Sequence, residues 1–119
     1  RRDLQNEAKK MSRPWDWSKA FDHSAPIAPI VPMADVPSLT QGRIWLAVNG
    51  EIKQDADIAD LIWPVADHIA TLSQAMTLAP GDIIMTGTPA GVGAVTPGDV
   101  MTGGVDGIAE LEVTVGPRA

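Results

Sequence analysis

The chain has 119 residues, 45% hydrophobic and 20% charged, with a formal charge of −6 and no cysteine. That suits one soluble globular domain with a modest core and excludes a disulfide frame or a thiolate zinc site. No apolar run nears the roughly 20 residues needed to span a bilayer, no basic-then-apolar leader opens the chain, and the acidic balance disfavours nucleic acid. The expectation is a cytoplasmic protein with neither a membrane nor a nucleic-acid partner.

Arg1 to Met11, RRDLQNEAKKM, is polar, rich in helix formers and free of Gly and Pro, which predicts a helix. Arg2 and Gln5 stand three apart on it and share a face. Six of the nine Lys and Arg fall in the first 19 residues, whereas residues 24 to 119 hold 11 acids and 3 bases. A basic end on an acidic chain suits an anionic small molecule, and it equally suits a solvated helix face. Ser12, Arg13 and Pro14 end the helix.

Trp15 to Pro32 is irregular, and Pro26, Pro29 and Pro32 at intervals of three predict an extended path. Lys19, among Trp17, Ala20 and Phe21, is either a snorkelling lysine or one desolvated for a task. His23 reads as a hydrogen-bonded loop histidine. Arg43 to Val48, Asn49-Gly50 and Glu51 to Asp55 predict a β-hairpin, with Ile44, Leu46 and Val48 alternating with Trp45 and Ala47. Pro64 to Leu78 predicts a helix that has Pro64 in its first turn, a core stripe of Val65, Ile69, Leu72 and Met76, and a structural His68 beside the stripe.

Leu78 to Gly93, LAPGDIIMTGTPAGVG, is the stretch richest in chemistry. A turn at Pro80-Gly81-Asp82 and a short strand at Ile83 to Met85 lead into a loop holding Thr86 and Thr88 among Gly87, Pro89, Gly91 and Gly93. Glycines let a backbone pass close to a ligand and prolines fix its path. Two hydroxyls and several N–H groups in such a loop suit a carboxylate or carbonyl oxygen. The same spacing also suits a plain connection between strands. No Gly-Lys-Ser/Thr follows, so this is not a phosphate loop, and Thr96 stands where a dinucleotide fingerprint would have its third Gly. Pro97-Gly98-Asp99 repeats the turn and leads into a strand near Val100. Ile108 to Val115 alternates Leu111, Val113 and Val115 with Glu110, Glu112 and Thr114, a half-exposed strand.

Four segments, in order, resemble the fumarylacetoacetate hydrolase family: RDLQ (Arg2 to Gln5), Lys19-Ala20-Phe21 followed by Ser24-Ala25-Pro26, VNGE with Gln54, and PGDIIMTGTPAGVG. The longer run RRDLQNEAKKMSRPWDWSKAFD is most similar to the small acylpyruvate hydrolases, especially the fumarylpyruvate hydrolases of gentisate breakdown. Ala28 departs from the Gly that many relatives carry. The resemblance implies a β-rich α+β fold, a mixed β-roll with a few short helices, and a homodimer. Residues 1–119 would be the C-terminal portion of a single catalytic domain. It implies metal-dependent hydrolysis of the C–C bond of an acylpyruvate, fumarylpyruvate giving fumarate and pyruvate, with pyruvate leaving as a metal-bound enolate.

Carried over by position, Arg2 and Gln5 donate to the reacting oxygen or orient substrate, and Lys19 stabilises developing negative charge, its field strengthened by Phe21 and Trp17. Thr88, with Gly87 and Thr86, holds the substrate carboxylate, and Asp3 pairs internally with Arg2 or Lys19. The metal, Mg2+ or Mn2+, has its Glu-x-Glu and Asp ligands, together with a water-activating His-Glu pair, upstream of the position matched by Arg1. No residue of the 119 is therefore assigned to it, and the chain alone is expected to be inactive. Glu110 and Glu112 have Glu-x-Glu spacing but read as the solvated face of a strand. The alternatives are an oxaloacetate decarboxylase of the same family, or a non-catalytic piece that gives only fold and a dimer surface.

Overall fold

The computed structural model describes residues 1–117. Helix α1 (Arg2–Lys10) and the single turn α2 (Asp16–Lys19) pack together at the start of the chain. Strands β1 (Arg43–Val48), β2 (Glu51–Asp57), β3 (Val100–Val105) and β4 (Ala109–Thr114) form one antiparallel sheet in the order β2-β1-β3-β4. A long crossover between β2 and β3 carries a 3-10 turn (Ile58–Asp60), helix α3 (Val65–Ala75) and the glycine-rich loop. A second 3-10 turn (Met33–Asp35) follows the proline segment.

The hairpin forms as its sequence predicts. Asn49 and Gly50 take φ of 51° and 81°, the paired left-handed conformations that match a two-residue turn to strand twist. The Asn49 amide also donates to the Asp99 carboxylate (2.9 Å) and accepts from the Val100 N–H (2.9 Å), so the hairpin tip holds the start of β3. The two Pro-Gly-Asp turns close alike. Asp82 accepts from the Ala79 N–H (2.8 Å) and Asp99 from the Thr96 N–H (2.7 Å), each three residues back.

Residues opposite one another in an antiparallel pair share a face. The register therefore gathers Ile44, Leu46 and Val48 of β1 with Ala56 and Gln54 of β2. Met101, Gly103 and Val105 of β3 and Ala109, Leu111 and Val113 of β4 complete that face. This face is apolar except at Gln54 and at Glu51 beside the turn. Pairing runs Leu46 with Gln54 and then Ala47 with Ile52, so Lys53 is an extra, unpaired residue in β2, a β-bulge. On β4 exposure alternates, with Glu110 and Glu112 outward.

Four expectations need correction. Ile83 to Met85 is not a strand: among the described residues no neighbour pairs with its N–H and C=O groups, and Ile83 and Met85 are 61% and 69% exposed. Helix α3 ends at Ala75, short of Leu78, because Met76 turns to extended backbone (φ −150°), and Pro64 caps the helix rather than lying within it. Its stripe faces no core, since Ile69 and Met76 are exposed and Ala47 is the only buried hydrophobic residue among those described. Within the irregular segment, Asp16–Lys19 forms a helical turn that no periodicity announces.

Candidate functional site

Helix α1 presents Arg2 and Gln5 on one face, and the Arg2 guanidinium donates to the Gln5 side-chain oxygen. Gln5 is buried, and the nearby Ser18 is buried with its hydroxyl donating to the Trp15 carbonyl (2.6 Å). The Arg1 backbone nitrogen donates to the Ser18 carbonyl (3.0 Å), which ties α1 to α2. These residues, with Lys19, Phe21 and Ser24, line a cavity of about 190 Å³. Its lining holds three cations (Arg1, Arg2 and Lys19) and no carboxylate. The Arg1 guanidinium lies 4.7 Å from the centre of the Phe21 ring, a cation–π contact that fixes one wall.

Two expectations here are corrected. Asp3 pairs with neither Arg2 nor Lys19; the ion pairs among the described residues are Arg43–Asp55 and Lys53–Glu51. Adjacent helix positions point about 100° apart, so Asp3 and Arg2 do not face each other. Nor does Trp17 shield Lys19. Next to buried Ser18 on a one-turn helix, Trp17 points outward at 84% exposure, and Lys19 is itself exposed.

The threonine loop forms a second cluster, docked on β2. The Gln54 amide nitrogen donates to the Thr88 hydroxyl (2.8 Å) and to the Pro89 carbonyl (2.7 Å). A Cβ at Gly91 would lie 1.8 Å from the Lys53 carbonyl, so only glycine lets the loop lie against the bulge. Thr88 and Gly87 line two cavities. One, of about 410 Å³, opens over the apolar sheet face beside Leu46, Gly103 and Leu111. The other, of about 620 Å³, also takes in Thr86 and lies between the loop and Trp63, Val65 and His68. Asp57 on its wall is held below the usual carboxylate range because it accepts from the Ala59 and Gly42 N–H groups (2.8 and 3.0 Å). It is thus a structural acceptor rather than a poised base.

The predicted residues therefore fall into two groups, Arg2, Gln5 and Lys19 in one cavity and Thr86, Gly87 and Thr88 in the others, with no lining residue in common. The proline segment links them: Ser24 lines the cationic cavity, and Pro26 and Ala28 line the one over the sheet. His68 contacts the Pro64 carbonyl (3.2 Å) and stacks obliquely near Trp63, in keeping with a structural role. Gln54 has no role from the sequence alone, although it stands just after the VNGE motif. A polar side chain in register with Leu46 was the available signal, and the bulge hid it.

Among the described residues no group of three or more His, Cys, Asp or Glu is placed to hold a metal ion. These side chains do not form the ligand set that the resemblance implies. No helix among them is long and apolar enough to cross a membrane.

Residues 1–116 match the family model for the fumarylacetoacetate (FAA) hydrolase C-terminal region. A fumarylpyruvate hydrolase from Ralstonia sp. is 50% identical over 117 residues, covering 98% of this chain and 60% of that protein. The structure of a fumarylpyruvate hydrolase from Pseudomonas aeruginosa in complex with Mn2+ and pyruvate superposes with a TM-score of 0.91 at 48% identity. That match covers 98% of this chain and 50% of the other. A mitochondrial oxaloacetate tautomerase of Rattus norvegicus is 40% identical over 114 residues, covering 96% of this chain and 52% of that protein. The chain thus spans between half and three-fifths of the length of these relatives. Its fold, its ordered motifs and its match from residue 1 to 116 make the chain a member of the fumarylacetoacetate hydrolase family.

Proposed function

We propose that residues 1–119 are the C-terminal portion of a catalytic domain that hydrolyses the C–C bond of an acylpyruvate, with fumarylpyruvate as substrate. The observation that carries this is the cavity with three cations and no carboxylate on a chain of charge −6. Such a local reversal of sign favours a small anion. The reaction builds negative charge twice, first on the oxygen of the attacked carbonyl and then on pyruvate as it departs as an enolate. Arg2, oriented by its bond to buried Gln5, holds the reacting oxygen, and Lys19 offsets the charge as it develops. Thr88, with Gly87 and Thr86, holds the substrate carboxylate. A divalent metal, Mg2+ or Mn2+, belongs to this proposal with its ligands outside these 119 residues, and the active form is a cytoplasmic homodimer. The Ralstonia and Pseudomonas relatives support the substrate class.

A second possibility is enol–keto chemistry at oxaloacetate, favoured by the tautomerase relative. Oxaloacetate decarboxylation would use the same anion-holding groups. The test is to express the complete reading frame, supply Mg2+ or Mn2+, and offer fumarylpyruvate, maleylpyruvate and oxaloacetate separately. Pyruvate released with fumarate from fumarylpyruvate is the expected result. Conversion of oxaloacetate alone would favour the second possibility, and no conversion of any of the three would leave only a structural role.

A further inference from the structure

We infer that Gln54 is a positioning residue that fixes the Thr88 hydroxyl as a hydrogen-bond donor toward the carboxylate of a 2-oxo acid. This rests on the proposal that Thr88 holds that carboxylate. Gln54 is the one buried polar side chain of the sheet among the described residues, and it sits on a face that is otherwise apolar save for exposed Glu51 beside the turn. Burying an amide without hydrogen bonds is unfavourable, so the two bonds that its nitrogen makes decide its role.

The Pro89 carbonyl can only accept, so the atom 2.7 Å from it must be the amide nitrogen. That removes the usual ambiguity between the two ends of a glutamine amide. The same nitrogen lies 2.8 Å from the Thr88 oxygen and has only hydrogens to offer. Thr88 must therefore accept there. A threonine hydroxyl has a single proton, and with one lone pair already engaged that proton is turned away from Gln54. Thr88 is exposed on the cavity side, where the proton is free to meet an anionic oxygen. Without Gln54 that bond would not hold the hydroxyl in one orientation, and a lone pair could face the carboxylate in place of the proton. The bulge at Lys53 and the close approach of Gly91 hold the loop against β2, so the contact is kept in place by backbone as well as by side chain.

The test measures pyruvate affinity by calorimetry on the Mn2+-supplied protein from the complete reading frame, with melting temperature as a folding check. Gln54→Met should weaken pyruvate binding roughly tenfold, the scale of one hydrogen bond to a charged group. Gln54→Glu should weaken it more, about a hundredfold, because a carboxylate would take the Thr88 proton for itself. A role in filling space predicts the opposite order, since Glu is the closer match to Gln in shape. In a Thr88→Val background, Gln54→Met should cost less than about threefold further, because there is no hydroxyl left to orient. Undiminished affinity in Gln54→Glu, or an equal loss with and without the Thr88 hydroxyl, would overturn the role of Gln54 alone. Should Gln54→Glu fail to fold, the Gln54→Met and Thr88→Val cycle decides by itself. Failure of the unaltered protein to bind pyruvate would overturn both this role and the carboxylate site it serves.

Discussion

Asp99 shows how one carboxylate can serve the fold through its charge. It accepts from the Thr96 N–H and from the Asn49 side chain, and these bonds hold its pKa below the usual carboxylate range. An unfolded Asp titrates near about 3.9. Because the folded value is lower, the stabilisation is fully present above roughly pH 4 to 5 and is lost as the pH falls through the folded pKa. Asp99→Asn keeps an acceptor but cannot titrate, so its melting temperature should depend less on pH in acid than that of the unaltered protein. Equal slopes in the two proteins would place the acid sensitivity elsewhere. Lys19 carries a different expectation. Exposed and without a carboxylate partner among the described residues, its charge is available to a ligand rather than to the fold. Lys19→Met in the complete protein should lower turnover about 10²-fold or more, the scale of losing one oxyanion donor, while leaving the melting temperature nearly unchanged. Normal turnover in that variant would remove Lys19 from the chemistry.

At the level of elements, the glycine-rich loop has no regular secondary structure, yet it is tied to β2 by the Gln54 bonds and by the close approach of Gly91. Gly91 and Gly93 make the point by contrast. A methyl group at Gly91 would run into the Lys53 backbone, and its φ of 97° is one that L side chains rarely adopt; at Gly93 nothing lies within 4 Å. Gly91→Ala should therefore destabilise the protein by about 1–3 kcal/mol and weaken pyruvate binding, whereas Gly93→Ala should stay within about 0.5 kcal/mol. Similar melting temperatures for the two variants would mean that the loop is not held by β2. Much of this level was legible in the sequence. Alternation announced β1 and β4, Asn49-Gly50 the hairpin, and the Pro-Gly-Asp pair two turns of one design. The bulge was not legible, because a register shift depends on a partner strand that periodicity along one strand cannot see. For the same reason Ile83 to Met85 looked like a strand: its composition is right, but what makes a strand is its neighbour.

As a whole molecule the chain is open. Its accessible surface of 9064 Å² compares with roughly 6200 Å² for a compact monomer of this mass, and large side chains such as Ile30 and Ile62 are almost wholly exposed. Among the described residues Ala47 is the one fully buried hydrophobic side chain and the apolar residues of the sheet's other face are only half-buried, little to offset the entropy of ordering a domain. A polypeptide of residues 1–119 by itself should bind a hydrophobic dye and melt without a sharp transition. A cooperative transition with the usual enthalpy of about 0.7 kcal/mol per residue would refute this. Helix α3 shows the same openness in miniature, since its stripe is apolar but Ile69 on it is exposed. The candidate site was legible to the extent that its motifs were local. Arg2 with Gln5 follows from one helical turn, whereas the link between Gln54 and Thr88 spans 34 residues and exists only once the crossover has folded back.

The extra residue in β2 has a consequence for how the strand tolerates change in length. Leu46 and Ala47 are already matched by Gln54 and Ile52, so Lys53 contributes nothing to the count of paired residues. A chain one residue shorter at that point would keep every ladder partner and every face, losing only the exposed Lys53–Glu51 ion pair, and its ladder would be more regular. What it would lose is the outward step of backbone on which Gly91 rests. The sheet would be indifferent to the deletion and the loop would not, so here the spacing of the strand is set by the loop it supports.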